Sequence, residues 1–120
     1  MAELLEDMAR ELKQGSADSY VLETKQGRLL IPYSEILYFE SRERRVCLCT
    51  KSRQLPFYDT LERLSKELPE QFLRCHKGFI VNAYNIEGVL FAQNTIHLRG
   101  GFIIPVSRSY KSAVREAIMR

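Results

Sequence analysis

The sequence has few of the patterns that indicate an enzyme. It contains no glycine-rich phosphate loop, no nucleophile elbow and no His-Glu-x-x-His motif, and it has only two histidines. No apolar run approaches the roughly 20 residues that a membrane-spanning helix needs. The acidic segment "MAELLEDMARELKQGS" has the features of neither a signal peptide nor a transit peptide. These absences predict a cytoplasmic protein that is not an enzyme and does not contact a membrane.

Cysteine is scarce as well, with three residues and no secretory context, which favours reduced thiols over a disulfide framework. A zinc site could be assembled from Cys47, Cys49, Cys75 and His76. However, Cys-x-Cys in an alternating strand puts both thiols on one sheet face, where small apolar side chains also belong. The two-residue spacing of a zinc knuckle is missing. We therefore expect cysteines in the core, no metal and no cofactor; stoichiometric metal in the purified protein would instead indicate a metal-dependent enzyme.

Charge is unevenly distributed along the chain. Residues 1–41 hold four Lys or Arg against eight Asp or Glu, a balance of −4, whereas residues 42–120 hold fourteen against seven, a balance of +7. A basic C-terminal two-thirds suits a polyanionic partner. A mixed surface whose charges happen to segregate would give the same counts.

The spacing of apolar residues predicts the order of the elements. Leu4, Leu5, Met8 and Leu12 have helical spacing, so residues 1–16 are predicted as an N-terminal helix and linker, and residues 17–120 as one domain. A hairpin is expected around Gln26-Gly27, with its second strand ending at Pro32. "EILYFES" is predicted to be a buried strand, and "VCLCT" a half-buried one. "RQLPFY", "QFLRC", "GFIVN", "IEGVLFA", "TIHLRG" and "FIIPVS" are further short strands.

Only two helices are expected in the domain itself. "TLERLSKEL" can be capped by Asp59 or Thr60 and is ended by Pro69. "RSYKSAVREAIMR" places Tyr110, Val114, Ala117 and Ile118 at helical spacing. Many short strands and few helices predict a mainly β domain.

The cations form three clusters, each at a loop or at the end of an element: Arg42, Arg44 and Arg45; Arg74, His76 and Lys77; Arg108 and Lys111. Any one of them alone is explained by a solvated, charged turn. Three together in the basic part of the chain favour a surface that contacts a nucleic acid duplex. Guanidinium groups pair bidentately with guanine, and lysine and histidine can reach phosphates or acceptor edges.

The segment "FLRCHKGFIVNAYNIEGV" resembles the central motif of the LytTR-type DNA-binding domain. "IPYSEILYFES" resembles the first strand signature of that family, "FYDTLERLSKELPEQF" its short helix, and "IIPVSRSYKSAV" its closing element. The resemblance covers roughly residues 17–118, with the motifs in the right order. It implies short antiparallel sheets stacked side by side in a compact, elongated domain, with one short internal helix and short terminal helices.

The resemblance also implies a function. Family members are usually the C-terminal domains of bacterial transcription (response) regulators in two-component systems, often behind a receiver domain. They bind repeated promoter half-sites through loops that enter the major groove. The expected partner is therefore double-stranded promoter DNA, bound as a homodimer or in tandem on direct repeats. No acidic receiver pocket is evident in this sequence, so a receiver domain would have to lie upstream.

By motif, the contact residues implied are Arg42, Arg44, Arg45, His76, Lys77 and Arg108. Gly78 stands where the family usually has serine, so a hydroxyl that could bind phosphate is missing. The sequence leaves two roles possible for Arg74: it shares the face of His76, or it is a structural ion-pair partner. Asn82 is expected to hydrogen-bond to the backbone of the turn that follows. The alternative function is a β-rich protein-interaction module that has lost DNA binding; salt-dependent DNA affinity would distinguish the two.

Overall fold

The computed structural model describes residues 18–119. These residues divide into two compact units at the junction of Glu35 and Ile36. The N-terminal helix and linker predicted for residues 1–16 lie outside the described residues, so the predicted division of the chain at residue 17 stays a prediction.

The first unit is an antiparallel hairpin of β1 (Ser19–Thr24) and β2 (Gly27–Pro32). The two-residue loop is Lys25-Gln26, one position before the predicted turn, and Gly27 opens β2 at φ +144°, which suits glycine. Pro32 ends β2, as predicted, since proline has no N–H for a sheet ladder. A 3₁₀ turn, Tyr33–Glu35, follows.

The second unit contains two antiparallel sheets. The larger has five strands in the order β5-β4-β3-β7-β6, and the smaller has three in the order β10-β9-β8. The strands are β3 (Ile36–Arg42), β4 (Arg45–Thr50), β5 (Gln54–Phe57), β6 (Phe72–His76), β7 (Phe79–Asn82), β8 (Ile86–Leu90), β9 (Thr95–Leu98) and β10 (Phe102–Pro105). The prediction of a mainly β fold of short antiparallel sheets is confirmed.

Both predicted helices are present in the second unit. Helix α1 (Leu61–Glu67) is capped by Thr60, whose hydroxyl accepts from the N–H of Arg63 at 3.2 Å. Helix α2 (Arg108–Met119) packs on β6 and buries Val114 completely. Ile118, at the end of its apolar stripe, stays 36% exposed. Among residues 18–119 no helix is long and apolar enough to cross a membrane.

The main core cluster joins one face of the five-stranded sheet to the three-stranded sheet and α2. It contains all three cysteines together with Tyr38, Val81, Ile96, Leu98, Ile104 and Val114, among others. Cys47 and Cys49 share a face, with their Sγ atoms 3.8 Å apart, as the alternation predicted. The prediction that "VCLCT" is half-buried is wrong. Every residue from Val46 to Thr50 is buried, because β4 lies inside the sheet and both of its faces are covered.

Candidate nucleic-acid interface

Three segments that are distant in sequence meet at one end of the five-stranded sheet. The Glu43-Arg44 turn joins β3 to β4, and the Lys77-Gly78 turn joins β6 to β7. The two turns are tied together, because the N–H of Ser41 donates to the carbonyl of Gly78 at 3.0 Å. The third segment, residues 106–108, is tied to β6 by a 3.0 Å bond from the Ser107 N–H to the Cys75 carbonyl. We call these two turns and residues 106–108 the basic end.

The spacing of the two turns follows from strand order. β4 and β3 are neighbours, β7 lies next to β3, and β6 is outermost. Adjacent strands are about 4.8 Å apart, so the two turns are separated by about 10 Å. Side chains on both turns can therefore reach one groove of a duplex, because the major groove is about 12 Å wide.

The Glu43-Arg44 turn has an unusual backbone. Glu43 has φ 45° and Arg44 has φ 68°, both in the left-handed region. Two such residues make the type I′ turn that matches sheet twist, for which Asn-Gly is preferred. Non-glycine residues there cost about 1 kcal/mol each. Arg44 is exposed, and its side chain makes no hydrogen bond or ion pair within residues 18–119.

Arg42 and Arg45 flank this turn and face each other across β3 and β4. The Arg42 guanidinium donates to Glu40 Oε1 and to Gln54 Oε1, each at 2.8 Å, and the bond to the Glu40 carboxylate raises the pKa of Arg42. Arg45 is exposed, and its guanidinium carbon lies 5.6 Å from the centroid of the Tyr58 ring. The predicted cluster therefore contains one unpaired, one stacked and one ion-paired arginine.

The Lys77-Gly78 turn is held by side chains of β6, the strand that precedes it. Arg74 donates from Nε to the His76 carbonyl at 3.0 Å and from Nη2 to the Lys77 carbonyl at 2.7 Å. Its guanidinium carbon also lies 5.4 Å from the Tyr110 ring centroid. His76 Nδ1 accepts from the Gly78 N–H at 3.0 Å, which leaves Nε2–H as the free donor of the neutral ring.

The role of Arg74, which the sequence left open, is therefore structural. His76 is half-buried and shapes the turn through its ring nitrogen. Lys77 is exposed and makes no side-chain hydrogen bond or ion pair with any described residue. The turn thus presents one cation on a backbone that four polar and stacking contacts immobilise.

Arg108 is the first residue of α2 and is exposed. Like Lys77, it has no side-chain bond to the described part of the chain. The first N–H groups of a helix lack intrahelical acceptors, so they add backbone donors beside this guanidinium. Arg108 therefore adds an exposed cation and backbone donors to the basic end, and its role in DNA contact stays a prediction.

The thiols have no features of ligands or nucleophiles. Burial raises the pKa of both Cys49 and Cys75 to about 12, so both are protonated at neutral pH. All three cysteines are free and buried. Within residues 18–119, no group of three or more His, Cys, Asp or Glu side chains could hold a metal ion.

The sequence did not indicate the roles of Tyr58 and Tyr110 at this end, and it indicated only part of the hydrogen bonding of Asn82. Tyr58 is 84% exposed and lies under Arg45, a position that its alternation with the inward Phe57 could have indicated. Tyr110 supports Arg74. Asn82 bonds the backbone as predicted, accepting from the Tyr84 N–H, but it also donates to the Ile36 carbonyl at 3.0 Å.

The basic end presents exposed cations on two sheet turns and at the start of α2. This arrangement is typical of a β-rich domain that binds a polyanion through its loops. The family comparison agrees with this class: the family model for the LytTr DNA-binding domain matches residues 26–119. The chain therefore belongs to the LytTr family of DNA-binding domains, and this is not a family of enzymes.

Individual relatives are similar over the same region. The accessory gene regulator protein A of Staphylococcus epidermidis is 30% identical over 91 residues, which are 74% of this chain and 38% of that protein. The Staphylococcus aureus protein of the same name is 30% identical over 89 residues, or 72% and 37%. The chain thus spans well under half the length of these curated relatives.

A solved LytTr DNA-binding domain from Bacillus cereus has the same fold. It superposes with a TM-score of 0.74 at 26% identity, covering 86% of this chain and 98% of that one. This likeness confirms the fold that the sequence motifs implied.

Proposed function

We propose that this chain binds double-stranded promoter DNA sequence-specifically, as the DNA-binding domain of a bacterial transcription regulator. The observation that carries the proposal is the meeting of three basic segments at one end of a sheet. Arg44, Lys77 and Arg108 are all exposed there, and none has a side-chain partner among the described residues. Unpaired cations are available to phosphates and base edges without first breaking an internal ion pair.

The chemistry of each side chain suggests its role. Arg44 and Arg108 have free guanidinium forks, which match the O6 and N7 acceptors of guanine in the major groove. Lys77 acts as a point charge on phosphate, because its ammonium is flexible and strongly hydrated. Arg42, Arg45 and His76 are already engaged in internal contacts, so we propose that their DNA contacts are secondary. Arg42 and Arg45 would contact the DNA backbone, and His76 would donate from Nε2.

The decisive experiment is selection of bound sequences from a random duplex library, followed by titration of the selected duplex at several salt concentrations. We expect an enriched motif and a log–log salt slope of about −3 or steeper, because several cations displace condensed counterions. A protein-interaction module that had lost DNA binding would enrich no motif and would show no salt-dependent affinity.

The intact regulator is expected to contain more than this chain. The curated relatives are more than twice as long as the matched region, and the Bacillus cereus domain is described as part of a DNA response regulator. We propose an upstream receiver domain, a cytoplasmic location, and binding to repeated half-sites as a homodimer or in tandem. Duplexes with one and two selected half-sites test the last point, since cooperative binding requires the second.

The acidic N-terminal residues have a separate expectation within this proposal. Residues 1–14 would be repelled by phosphate, so deleting them should leave the affinity for a single half-site unchanged. A large loss of affinity would show that they belong to the interface.

A further inference from the structure

Tyr58 has an unusual environment for a large aromatic side chain. It is 84% exposed, the highest value among the exposed large hydrophobic residues in the described part of the chain. It directly follows β5, and Phe57 pairs with Val46 in the ladder, so the next position along comes opposite Arg45. Tyr58 therefore lies at the same end of the sheet as the basic turns.

Tyr58 is also coupled to one of the basic residues. The Arg45 guanidinium carbon lies 5.6 Å from the ring centroid, within the range of a cation–π contact. At an exposed site such a contact is weak, but it restricts both a long arginine and the ring. The pair therefore presents a phenolic hydroxyl and a guanidinium together, at the outer limit of the basic end.

Strand order places this pair at the opposite limit from Arg108. β5 is one edge of the five-stranded sheet and β6, beside residues 106–108, is the other. Four strand spacings of about 4.8 Å separate the edges by about 19 Å. This distance is close to half a turn of B-DNA, about 17 Å, so an edge-to-edge contact would span a groove and reach the flanking phosphates.

We propose that Tyr58 is a DNA contact: its hydroxyl donates a hydrogen bond to a phosphate oxygen, and its ring holds Arg45 toward the same strand. The inference rests on the proposed function and adds a residue outside the three basic clusters. A hydroxyl is suited to this role, because phosphate oxygens accept charge-assisted hydrogen bonds from tyrosine, whereas stacked bases in a duplex offer the ring no free face.

The test uses the selected duplex and five proteins: the wild type, Tyr58→Phe, Tyr58→Leu, Arg45→Gln, and the Tyr58→Leu, Arg45→Gln double variant. Tyr58→Phe should weaken binding about tenfold with an unchanged salt slope, because a hydrogen bond to phosphate is lost whose donor carries no charge. Arg45→Gln should make the slope shallower by about 0.9, because one cation is lost. Tyr58→Leu should weaken binding more than Tyr58→Phe, and the double variant should lose less than the two single losses combined.

Tyr84 supplies the matched control. It is 71% exposed and follows β7 at the opposite end of the sheet, so Tyr84→Phe and Tyr84→Leu should bind DNA as the wild type does. Circular dichroism should show all variants folded, since both tyrosines are exposed.

Three outcomes would overturn the inference, and they differ in whether the proposed function falls with it. If both Tyr58 variants bind with wild-type affinity while Arg108→Ala weakens binding, Tyr58 is not a contact and the proposed function stands. If the wild type itself binds no duplex in a salt-dependent way, the proposed function and the inference both fail. Self-association that changes in the Tyr58 variants without any change in DNA affinity would also rule out the DNA role.

Discussion

The two turns of the basic end are built in opposite ways. The Lys77-Gly78 turn is fixed by two hydrogen bonds that Arg74 donates to backbone carbonyls and by one that His76 Nδ1 accepts from the Gly78 N–H. Within residues 18–119, the Glu43-Arg44 turn has no comparable side-chain support, and it places two ordinary residues in the left-handed region. One turn is stabilised by its neighbours, and the other is kept in spite of a local conformational cost.

This difference separates two demands on a binding loop. If Lys77 contacts phosphate as proposed, its charge must be held at a fixed distance from the DNA backbone, and a rigid turn achieves this. A turn residue retained at an unfavourable φ suggests that its side chain is needed for a contact, because Asn-Gly would be more stable there. We therefore expect the Lys77-Gly78 turn to determine stability and position, and the Glu43-Arg44 turn to determine sequence preference.

The largest effect is expected for Arg74→Ala. The substitution leaves the His76 and Lys77 carbonyls without their donor and removes the contact with Tyr110, so unfolding free energy should fall by about 2 kcal/mol. DNA affinity of the folded variant should fall by more than that of Lys77→Ala, because the whole turn is released. Denaturant unfolding and duplex titration provide the two measurements.

Arg53→Ala is the matched control for this prediction. Arg53 is exposed in the β4–β5 turn at the opposite end of the sheet, so its removal should change neither quantity much. A variant of Arg74 as stable as the wild type would show that the turn does not depend on its guanidinium.

The next effect tests the strained turn. Replacing Glu43-Arg44 by Asn-Gly should stabilise the domain by about 1 kcal/mol, because both residues tolerate positive φ. The same change should weaken binding to the selected site by about tenfold or more, since one base contact is worth about 1–3 kcal/mol. Thermal unfolding and competition between the selected and a scrambled duplex measure the two effects.

The two effects must have opposite signs for the comparison of the turns to hold. Stabilisation with wild-type sequence preference would show that Arg44 makes no base contact. An equal loss of affinity for the selected and the scrambled duplex would show that Arg44 contacts phosphate and not a base.

A smaller effect is expected for Lys77→Ala. A phosphate contact of this kind contributes to all sequences equally, so affinity should fall several-fold on selected and random duplexes alike. The salt slope should become shallower by about 0.9. Lys51→Ala, which removes an exposed lysine from the β4–β5 turn, should leave the slope at its wild-type value; a changed preference at one base position would instead assign Lys77 to base contact.

The smallest effect is expected for Gly78→Ser. Gly78 does not need a left-handed φ, and a Cβ there would meet only His76 Nδ1, at 3.7 Å, which is ordinary contact. Serine is therefore compatible with the turn and adds a hydroxyl beside Lys77. The affinity for DNA should rise a few-fold without loss of stability. A drop in melting temperature would show that the Lys77-Gly78 turn does not tolerate a side chain at this position.

Local patterns sufficed for most of the elements. Alternation and turn residues predicted the strands, and Thr60 and Pro69 bounded α1 correctly because capping and proline effects act within a few residues. The pattern "VCLCT" misled, since alternation cannot show whether a second layer covers the outer face. The predicted hairpin turn, Gln26-Gly27, lies one residue after the observed loop, Lys25-Gln26. Such an error is ordinary where two turn registers have similar residues.

The candidate site divides in the same way. Composition and motif order, which are properties of the chain alone, determined the family, the mainly β class and the set of cations proposed to contact DNA. Only tertiary structure decided that Arg44, Lys77 and Arg108 share one end of the sheet, that Arg74 braces a turn, and that Tyr58 lies under Arg45. The physical reason is that strand order and cross-strand hydrogen bonds bring together residues such as Arg44, Lys77 and Arg108, which are more than 30 positions apart in sequence, and no local pattern records which strands become neighbours.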